Sequence, residues 1–232
     1  MSALKQIART IVPENIRRPL REWHRARVFR RAMRDYLADP SVALSDGGGL
    51  LRRLVYGWGN ETFSALGEYL VACLREALQG EGPILECGSG LSTILVGIVA
   101  QRTGRQLWTL EHHEGWGERV RAALAVQGVD AVEVCIAPLR AYTEEYSWYD
   151  PPLERMPNDF GLVICDGPPG DTPGGRYGML PVMRERLAPG CTILLDDAWR
   201  EYERDIAQRW ADELGTDFSI EGEAKPYLRL RK

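Results

Sequence analysis

Acidic residues follow four apolar stretches of the sequence that have the composition of buried β-strands. Because ligands of open α/β sheets bind beyond the carboxyl ends of the strands, acids at these positions are placed to contact a ligand. Carboxylates there can accept hydrogen bonds from ligand hydroxyls, bind a ligand cation or hold a metal ion. The sequence therefore predicts one ligand site lined by Glu86, Glu111, Asp166 and the pair Asp196 and Asp197.

A glycine-containing turn directly follows the first of these acids. Gly88 and Gly90 allow a tight turn in which the backbone approaches a ligand closely. Ser92 and Thr93 then lead into an apolar run that predicts a helix whose N-terminus points at the ligand. The Gly-x-Gly pair is weak by itself, but Glu111 closes the next strand about where a ribose-binding carboxylate belongs. Together these residues predict a ligand of the nucleotide type.

Strand-like and helix-like segments alternate along the chain, which predicts a doubly wound α/β fold with a mostly parallel, seven-stranded sheet. Beyond the central motif, helices are expected at 61–78, 116–126, 177–187 and 201–214, strands at 131–136, 160–165 and 191–195, and a closing antiparallel pair at 218–220 and 227–230. The segment 138–158 is expected to be a long loop whose aromatic residues line a substrate pocket or seal the core.

The size and composition of the chain predict one main domain with an appendage. Of its 232 residues, 44% are hydrophobic and 27% are charged. We predict a basic helical extension over residues 1–50 and a ligand-binding domain over residues 51–232. The longest apolar run is too short to cross a bilayer, and the N-terminus lacks a signal-peptide pattern. Five cysteines without metal-binding spacing are expected to be reduced, which favours a cytoplasmic protein.

The N-terminal extension carries a charge opposite to that of the rest of the chain. Residues 1–35 contain ten basic and three acidic residues, a net charge of +7 that leaves −11 for the remainder of a chain with net charge −4. A helix is expected from Leu20 to Leu37, with apolar residues on one stripe and arginines elsewhere. Three interpretations stay open: a cap on the ligand-binding domain, peripheral membrane contact through residues 1–37, and nucleic-acid binding. The arm is also placed to bridge subunits of a homo-oligomer.

At the glycine turn the sequence resembles the class I S-adenosylmethionine-dependent methyltransferases. Their first motif, acidic-x-Gly-x-Gly, is matched by Glu86, Gly88 and Gly90, and Glu111 matches the acid of their second strand. The third small position is Ser92 instead of glycine. The resemblance covers roughly residues 55–232, and it implies S-adenosylmethionine as cofactor, with Glu111 on the ribose hydroxyls and Glu86 facing the aminoacyl cation. The cofactor-binding set that it implies is Glu86, Gly88, Ser89, Gly90, Ser92, Thr93, Glu111, His112 and Asp166.

The acids of the fourth and fifth strands are also similar to those of metal-dependent O-methyltransferases of the catechol and macrolide-sugar types. Three converging carboxylates, Asp166, Asp196 and Asp197, repel one another unless they are protonated or bridged by a cation. Mg²⁺ prefers such oxygen ligands, and it would activate a substrate hydroxyl. The alternative is that these acids only cap helices and turns.

Two departures from known patterns limit this resemblance. The catechol enzymes place a lysine where this chain has Pro169, and no lysine lies nearby in the sequence. The general base is therefore open between Asp166, which we predict to be catalytic, and His113. Glycines at 167 and 170 break the Asp-Pro-Pro-aromatic pattern of amino-methyltransferases. Together with the acidic body, this makes nucleic-acid substrates unlikely partners.

The predicted function is methyl transfer from S-adenosylmethionine to a small-molecule acceptor, at a hydroxyl group activated by Mg²⁺. Arg176 and Tyr177 are expected to be acceptor contacts on the rim of the site. Two alternatives stay open: a metal-independent N-methyltransferase, and a non-catalytic nucleotide-fold binding protein that its basic arm attaches to a membrane.

Overall fold

The computed structural model describes residues 14–45, 48–59 and 67–232. The chain divides into two compact units, Met1–Phe63 and Ser64–Lys232. These units are defined by contacts within the chain. The domain boundary that the sequence suggests at residue 50 concerns parts that fold independently, and it stays a prediction. The first residues of the helix expected at 61–78 lie outside the described residues.

The second unit is built on a seven-stranded sheet with the order β3-β2-β1-β6-β7-β9-β8. Its strands are β1 (Ile84–Cys87), β2 (Leu107–Glu111), β3 (Val132–Ile136), β6 (Phe160–Cys165), β7 (Leu187–Leu195), β8 (Phe218–Glu221) and β9 (Tyr227–Arg231). The first five are parallel, and β9 runs antiparallel to both β7 and β8. The predicted doubly wound, mostly parallel sheet is therefore confirmed.

Helices connect the strands of the second unit. They are α4 (Glu68–Gln79), α5 (Leu91–Thr103), α6 (Glu114–Gln127), α7 (Met179–Met183) with a 3-10 turn at Arg184–Arg186, and α8 (Glu201–Leu214). In α5 every residue from Leu91 to Ala100 is buried, because the helix contacts α4 and α6 on its sides and β2 and β3 beneath it. A helix that is apolar all round is stable only when it is enclosed in this way, and its burial fixes the turn at its N-terminus.

Two segments differ from the sequence-based expectation. The segment 138–158 is not one loop, because β4 (Leu139–Ala141) and β5 (Ser147–Tyr149) pair as an antiparallel hairpin. The helix expected at 177–187 is a five-residue helix followed by the 3-10 turn, and the Ala-Pro-Gly sequence after it belongs to β7. A short strand pair is hard to predict, since its stability comes from packing of the aromatic side chains rather than from the alternation of its own residues.

The first unit contains α1 (Glu14–Ala38), α2 (Val42–Ser45) and α3 (Gly49–Trp58). Helix α1 packs on α3, and Gly57 permits the contact because a Cβ atom there would lie 2.7 Å from the Cβ of Phe29. An ion pair of 3.0 Å joins Arg53 to Asp35. Tyr56, Gly57 and Trp58 form the last turn of α3, which ends at the left-handed Gly59.

Within residues 14–45, 48–59 and 67–232, no helix combines the length and the apolar character needed to cross a bilayer. All five cysteines are buried and free. Burial raises the pKa of the Cys87 thiol above its ordinary value, so this residue is a small apolar group of the core.

Candidate active site

The glycine turn after β1 is held against the turn after β6. Gly88 has a φ of 90°, and a Cβ atom there would lie 3.2 Å from the backbone nitrogen of Gly167. The N–H groups of Asp166 and Gly167 both donate to the carbonyl oxygen of Cys87. Gly88 therefore allows two loops to touch, whereas a Cβ atom on Gly90 would meet no atom of the described residues within 4 Å. Of the two predicted motif glycines, Gly90 faces open space.

Glu86 is fully buried below this turn and is only half satisfied. Its Oε2 atom accepts hydrogen bonds from the hydroxyls of Thr93 (2.7 Å) and Thr109 (2.8 Å), while its Oε1 atom is buried with no hydrogen-bond partner among the described residues. Burial raises the pKa of Glu86 to about 7, although the nearby hydroxyls of Ser92, Thr93 and Thr109 act in the opposite direction. A buried carboxylate oxygen without a donor costs stability, which marks Glu86 as a residue kept for something other than packing.

Glu111 ends β2 and contacts the glycine turn from the other side. Its Oε2 atom accepts the backbone N–H of Ser89 (3.1 Å) and the Ser89 hydroxyl (2.6 Å), and its Oε1 atom accepts the N–H of His113 (2.8 Å). The ring of His112 lies 3.3 Å from the same oxygen. The Ser89 hydroxyl can rotate away from Glu111. A sugar hydroxyl can then donate to the same carboxylate oxygen in its place.

Trp116 completes this part of the site, and the sequence analysis missed it. Its indole N–H donates to the carbonyl oxygen of Ser89 (2.8 Å), and the Arg119 guanidinium lies over its ring at 4.7 Å. Trp116 is brought here by α6, which begins after the N-cap His113, whose Nδ1 atom accepts the Trp116 backbone N–H. Its position three residues after His113, in the first turn of a predicted helix, was the available signal.

The three acids at the ends of β6 and β7 converge as predicted. One side-chain oxygen each from Asp166, Asp196 and Asp197 lie within 4.8 Å of one another. Asp196 and Asp197 are buried, whereas the Asp166 side chain is 28% exposed. Asp197 also has a φ of 64°, which is unusual for a residue with a side chain. Such strain is found where a site requires a particular side-chain direction.

A buried arginine at the centre of this cluster corrects the prediction for Arg176. The residue was expected on the rim, but its side chain is only 3% exposed and ion-pairs with Asp166 (3.2 Å) and Asp197 (3.0 Å). The same guanidinium donates to the backbone oxygens of Asp166 and Asp196 and lies 3.6 Å from the carboxylate of the buried Glu203. Arginine suits this position because its planar group satisfies several acceptors and keeps its charge when buried.

A lysine from the far end of the chain is the second cation of the cluster. The Nζ atom of Lys225 lies 2.7 Å from Oδ2 of Asp196 and 3.5 Å from Oδ1 of Asp197. Glu68, at the start of α4, fixes this turn by accepting the backbone N–H groups of residues 223–225. The expectation that no lysine lies nearby holds for the sequence but is wrong for the folded chain, because β9 runs antiparallel to β7 and begins where β7 ends.

The ionisation of the cluster follows from these contacts. Burial raises the pKa of Asp166 above its ordinary value, while Arg176 and Lys225 oppose the rise. Burial also acts to raise the pKa of Asp197, but Arg176 and Lys225 outweigh it and hold that pKa below its ordinary value. The pKa of Lys225 is raised by Asp196 and Asp197 against the effect of burial. Lys225 is therefore a permanent cation, and Asp166 is the member of the cluster best able to exchange a proton.

These contacts leave little room for the Mg²⁺ ion that was predicted at Asp166, Asp196 and Asp197. The oxygens of Asp196 accept the Asp197 N–H and the Lys225 ammonium, and Oδ2 of Asp197 contacts both Arg176 and Arg200. A Mg²⁺ ion needs several carboxylate or water oxygens at about 2.1 Å, so it would have to displace cations that the chain itself supplies. The residues present therefore do not fit a divalent ion. Arg176 and Lys225 supply the positive charge that the three carboxylates require.

Other predicted site residues have structural roles. The His113 ring caps α6, and the Tyr177 hydroxyl donates to Glu213 (2.7 Å), away from the acids. Trp148 and Tyr149 of the aromatic segment are fully buried in the core, with the Tyr149 hydroxyl against Gly167. Tyr142 and Tyr146 stack at 5.7 Å and are partly exposed. The aromatic segment therefore seals the core with one half and faces outward with the other.

The fold is an open α/β sheet with acids at the carboxyl ends of four strands and a glycine turn after the first of them. Residues 85–198 match a family described as "Methyltransferase domain". Over these 114 of its 232 residues the chain matches a methyltransferase family, in agreement with the resemblance of its glycine turn to the class I S-adenosylmethionine-dependent methyltransferases. No curated protein sequence matches it significantly.

Solved structures of methyltransferases share the fold. Precorrin-6Y C5,15-methyltransferase from Geobacter metallireducens is 14% identical, with a TM-score of 0.52 over 75% of this chain and 95% of that chain. An SAH-bound methyltransferase from Podospora anserina is 16% identical, with a TM-score of 0.53 over 82% of this chain and 88% of that chain. A methyltransferase from Geobacter sulfurreducens is 14% identical, with a TM-score of 0.52 over 83% and 89%. At such identities the likeness concerns the fold and leaves the acceptor open.

Proposed function

We propose that this methyltransferase acts on a hydroxyl group of a small-molecule acceptor, with Asp166 as the general base and without a divalent cation. The observation that carries the proposal is the position of Asp166. It is the partly exposed acid of the cluster, and its backbone N–H is hydrogen-bonded to Cys87 at the start of the glycine turn. A base at this point lies between the proposed donor site and the solvent from which an acceptor arrives.

The donor site in this proposal is the glycine turn with Glu86 and Glu111. Bound S-adenosylmethionine supplies an electrophilic methyl group on a sulfonium centre. Glu111 accepts hydrogen bonds from the ribose hydroxyls once Ser89 turns away, and the free Oε1 atom of Glu86 attracts the aminoacyl ammonium group. Gly90 leaves space for the ligand, while Ser92, Thr93 and His112 surround it. The SAH-bound relative supports this choice of donor.

Asp166 accepts the proton of the acceptor hydroxyl as that oxygen attacks the methyl carbon and the bond from carbon to sulfur breaks. A general base works best when its pKa lies near the working pH, and burial moves the pKa of Asp166 in this direction. His113 is the weaker candidate because its ring nitrogen is already used as a helix cap. Arg176 and Lys225 hold the carboxylates in place. In this proposal the acceptor is therefore oriented by residues of the chain and not by a metal ion.

The three acids are already paired with Arg176 and Lys225. This pairing also favours a second candidate function, metal-independent methyl transfer to an amine. An amine that is neutral at the working pH needs a base only after it has been methylated, so its reaction depends less on Asp166. A panel of phenols, sugar hydroxyls and amines therefore separates the two candidates.

The test is the variant Asp166→Asn, with Asp171→Asn in the same loop as an exposed control. We expect Asp166→Asn to bind S-adenosylmethionine within about threefold of the unmodified protein and to lower kcat for a hydroxyl acceptor by about 10²–10³-fold. Activity of the unmodified protein should fall as the pH falls through the raised pKa of Asp166, because the base must be deprotonated, and the variant should lose this limb. EDTA should change neither rate.

Three results would contradict the proposal. An unchanged kcat in Asp166→Asn would exclude Asp166 as the base. Activity that EDTA abolishes and Mg²⁺ restores would return the site to the metal-dependent kind. Donor binding without turnover on any acceptor of the panel would favour the non-catalytic alternative.

A further inference from the structure

Helix α1 carries three exposed apolar side chains near its N-terminus. Ile16, Leu20 and Trp23 are 51%, 59% and 57% exposed, and they are among the most exposed large apolar residues of the described chain. Their spacing of four and three residues places them on one side of the helix. The opposite side is used for packing within the first unit, where Phe29 contacts Gly57 and Trp58 of α3. The exposed stripe is therefore additional to the face that stabilises the helix pair.

Arginines continue the same face towards the C-terminus of the helix. Arg27, Arg30, Arg31 and Arg34 are exposed and follow the apolar stripe at helical spacing, and the Arg27 guanidinium lies over the Trp23 ring at 5.5 Å. From Ile16 to Arg34 the face is about 27 Å long at 1.5 Å per residue. We name these seven residues the outward face.

Two acidic residues of the same helix, Glu22 and Asp35, are paired with arginines outside this face. Glu22 is paired with Arg18 at 2.9 Å, and Asp35 is paired with Arg53 of α3 at 3.0 Å. The outward face thus presents three apolar side chains and four arginines with no acid among them. A surface of this composition is complementary to a ligand that is both anionic and apolar.

We propose that the outward face docks on an anionic lipid membrane, with α1 lying in the plane of the interface. Apolar side chains of an interfacial helix enter the boundary between headgroups and acyl chains by about 5–10 Å, and arginines beside them contact lipid phosphates. Tryptophan is favoured at this boundary because its ring is apolar and its N–H is polar. This inference is independent of the acceptor and of the role of Asp166.

Charge and composition argue against two other occupants. A second copy that used the same face would bring the arginines of both copies together, which is unfavourable in a self-complementary interface. Nucleic acid would engage the arginines but would leave the three exposed apolar side chains in water.

The experiment is sedimentation of the full chain with sucrose-loaded vesicles, either of phosphatidylcholine alone or with about a third of phosphatidylserine. The apolar variant is Ile16→Ser/Leu20→Ser/Trp23→Ser, and its control is Val126→Ser/Ile220→Ser, which removes exposed apolar residues elsewhere. The charge variant is Arg27→Gln/Arg31→Gln, and its control is Arg75→Gln/Arg231→Gln, which removes exposed arginines from the second unit. Binding of S-adenosylmethionine verifies that each variant keeps its folded second unit, and circular dichroism verifies that α1 stays helical.

We expect the unmodified chain to pellet with anionic vesicles at least tenfold more strongly than with neutral ones. The apolar variant and the charge variant should each lose at least tenfold of this binding, while both controls keep it. Added salt should weaken the binding further.

Several outcomes would overturn the proposal. Equal pelleting with both kinds of vesicle, or binding that both variants retain, would remove the outward face from membrane contact. Binding to RNA that the charge variant loses, without vesicle binding, would assign the face to nucleic acid. A dimer that dissociates in the apolar variant, again without vesicle binding, would assign it to a second copy.

Discussion

The carboxyl ends of the parallel strands form one edge of the sheet, and this edge carries acids at two places. The acids at the two places are similar, but their electrostatic settings are opposite. At the end of β1 and β2, Glu86 and Glu111 are held by hydroxyl and backbone N–H groups, and within the described part of the chain one Glu86 oxygen has no donor. At the end of β6 and β7, Asp196 and Asp197 are held by the chain's own cations, Arg176 and Lys225. An acid after a buried strand is therefore not sufficient to identify a ligand contact.

The difference lies in what a ligand would have to replace. A sugar hydroxyl can take the place of the Ser89 hydroxyl at Glu111 by a rotation of that hydroxyl, and an ammonium group near Oε1 of Glu86 would break no hydrogen bond of the described residues. A cation at Asp196 and Asp197 would have to break buried or half-buried ion pairs, which are costly to open. Our proposal accordingly puts the donor at the first end and gives the second end the role of holding Asp166 in position.

The largest expected effect is on stability, from Arg176→Met. This change leaves Asp166, Asp197 and Glu203 without their buried cation, and breaking a buried pair costs about 3–5 kcal/mol. Urea denaturation should show the loss. Arg200→Met is the matched control, since Arg200 pairs with Asp197 from a side chain that is 38% exposed, and it should cost at most about 1 kcal/mol. Equal losses in the two variants would contradict the central role of Arg176.

The second prediction concerns donor binding and uses both ends of the edge. Glu111→Ala should weaken S-adenosylmethionine binding by about 100-fold in calorimetry, because a charged acceptor of hydrogen bonds contributes roughly 1.5–3 kcal/mol. The exposed Glu114→Ala, three residues further on, should leave affinity unchanged. Asp196→Ala/Asp197→Ala should change affinity by only a few-fold in a chain that stays folded. If the double variant lost more affinity than Glu111→Ala, the donor would have been placed at the wrong end.

The third prediction is the pH dependence of stability at Glu86. Its pKa is raised from 4.5 to about 7 in the folded chain, so between these values the folded state binds more protons than the unfolded state. The contribution of Glu86 is therefore favourable below this window and is lost as the pH rises through 7, by up to about 3 kcal/mol. Urea denaturation at pH 5 and pH 8 should show a smaller pH difference in Glu86→Gln than in the unmodified chain. Glu154→Gln, an exposed control, should behave like the unmodified chain.

The donor end could be predicted from the sequence because its parts are close together along the chain. Glu86, the glycine turn and the start of α5 lie within about ten residues, and a buried strand followed by glycines and a buried helix has few alternative structures. Trp116 was missed because its contact with Ser89 depends on how α6 leaves the sheet.

The other end contained a usable signal that the sequence analysis did not follow. The antiparallel pair β8 and β9 was predicted correctly. An antiparallel β9 beside β7 necessarily puts the residues before Tyr227 next to those after Leu195. This pairing places Lys225 next to Asp196. Predicting it requires the order of the strands in the sheet, which no local sequence pattern provides.

The sequence by itself determined the class of fold, the parallel sheet, the glycine turn and the positions of the strand-end acids, since hydrophobic periodicity and turn residues act over short distances along the chain. Only the tertiary structure decided which of these acids are neutralised. Arg176 and Lys225 reach the cluster through a loop after β6 and through the turn before β9, and Glu68 anchors the second of these from a helix that precedes the whole sheet. Charge pairing in a buried cluster depends on distances of a few ångströms between such remote segments, so its outcome is set by packing.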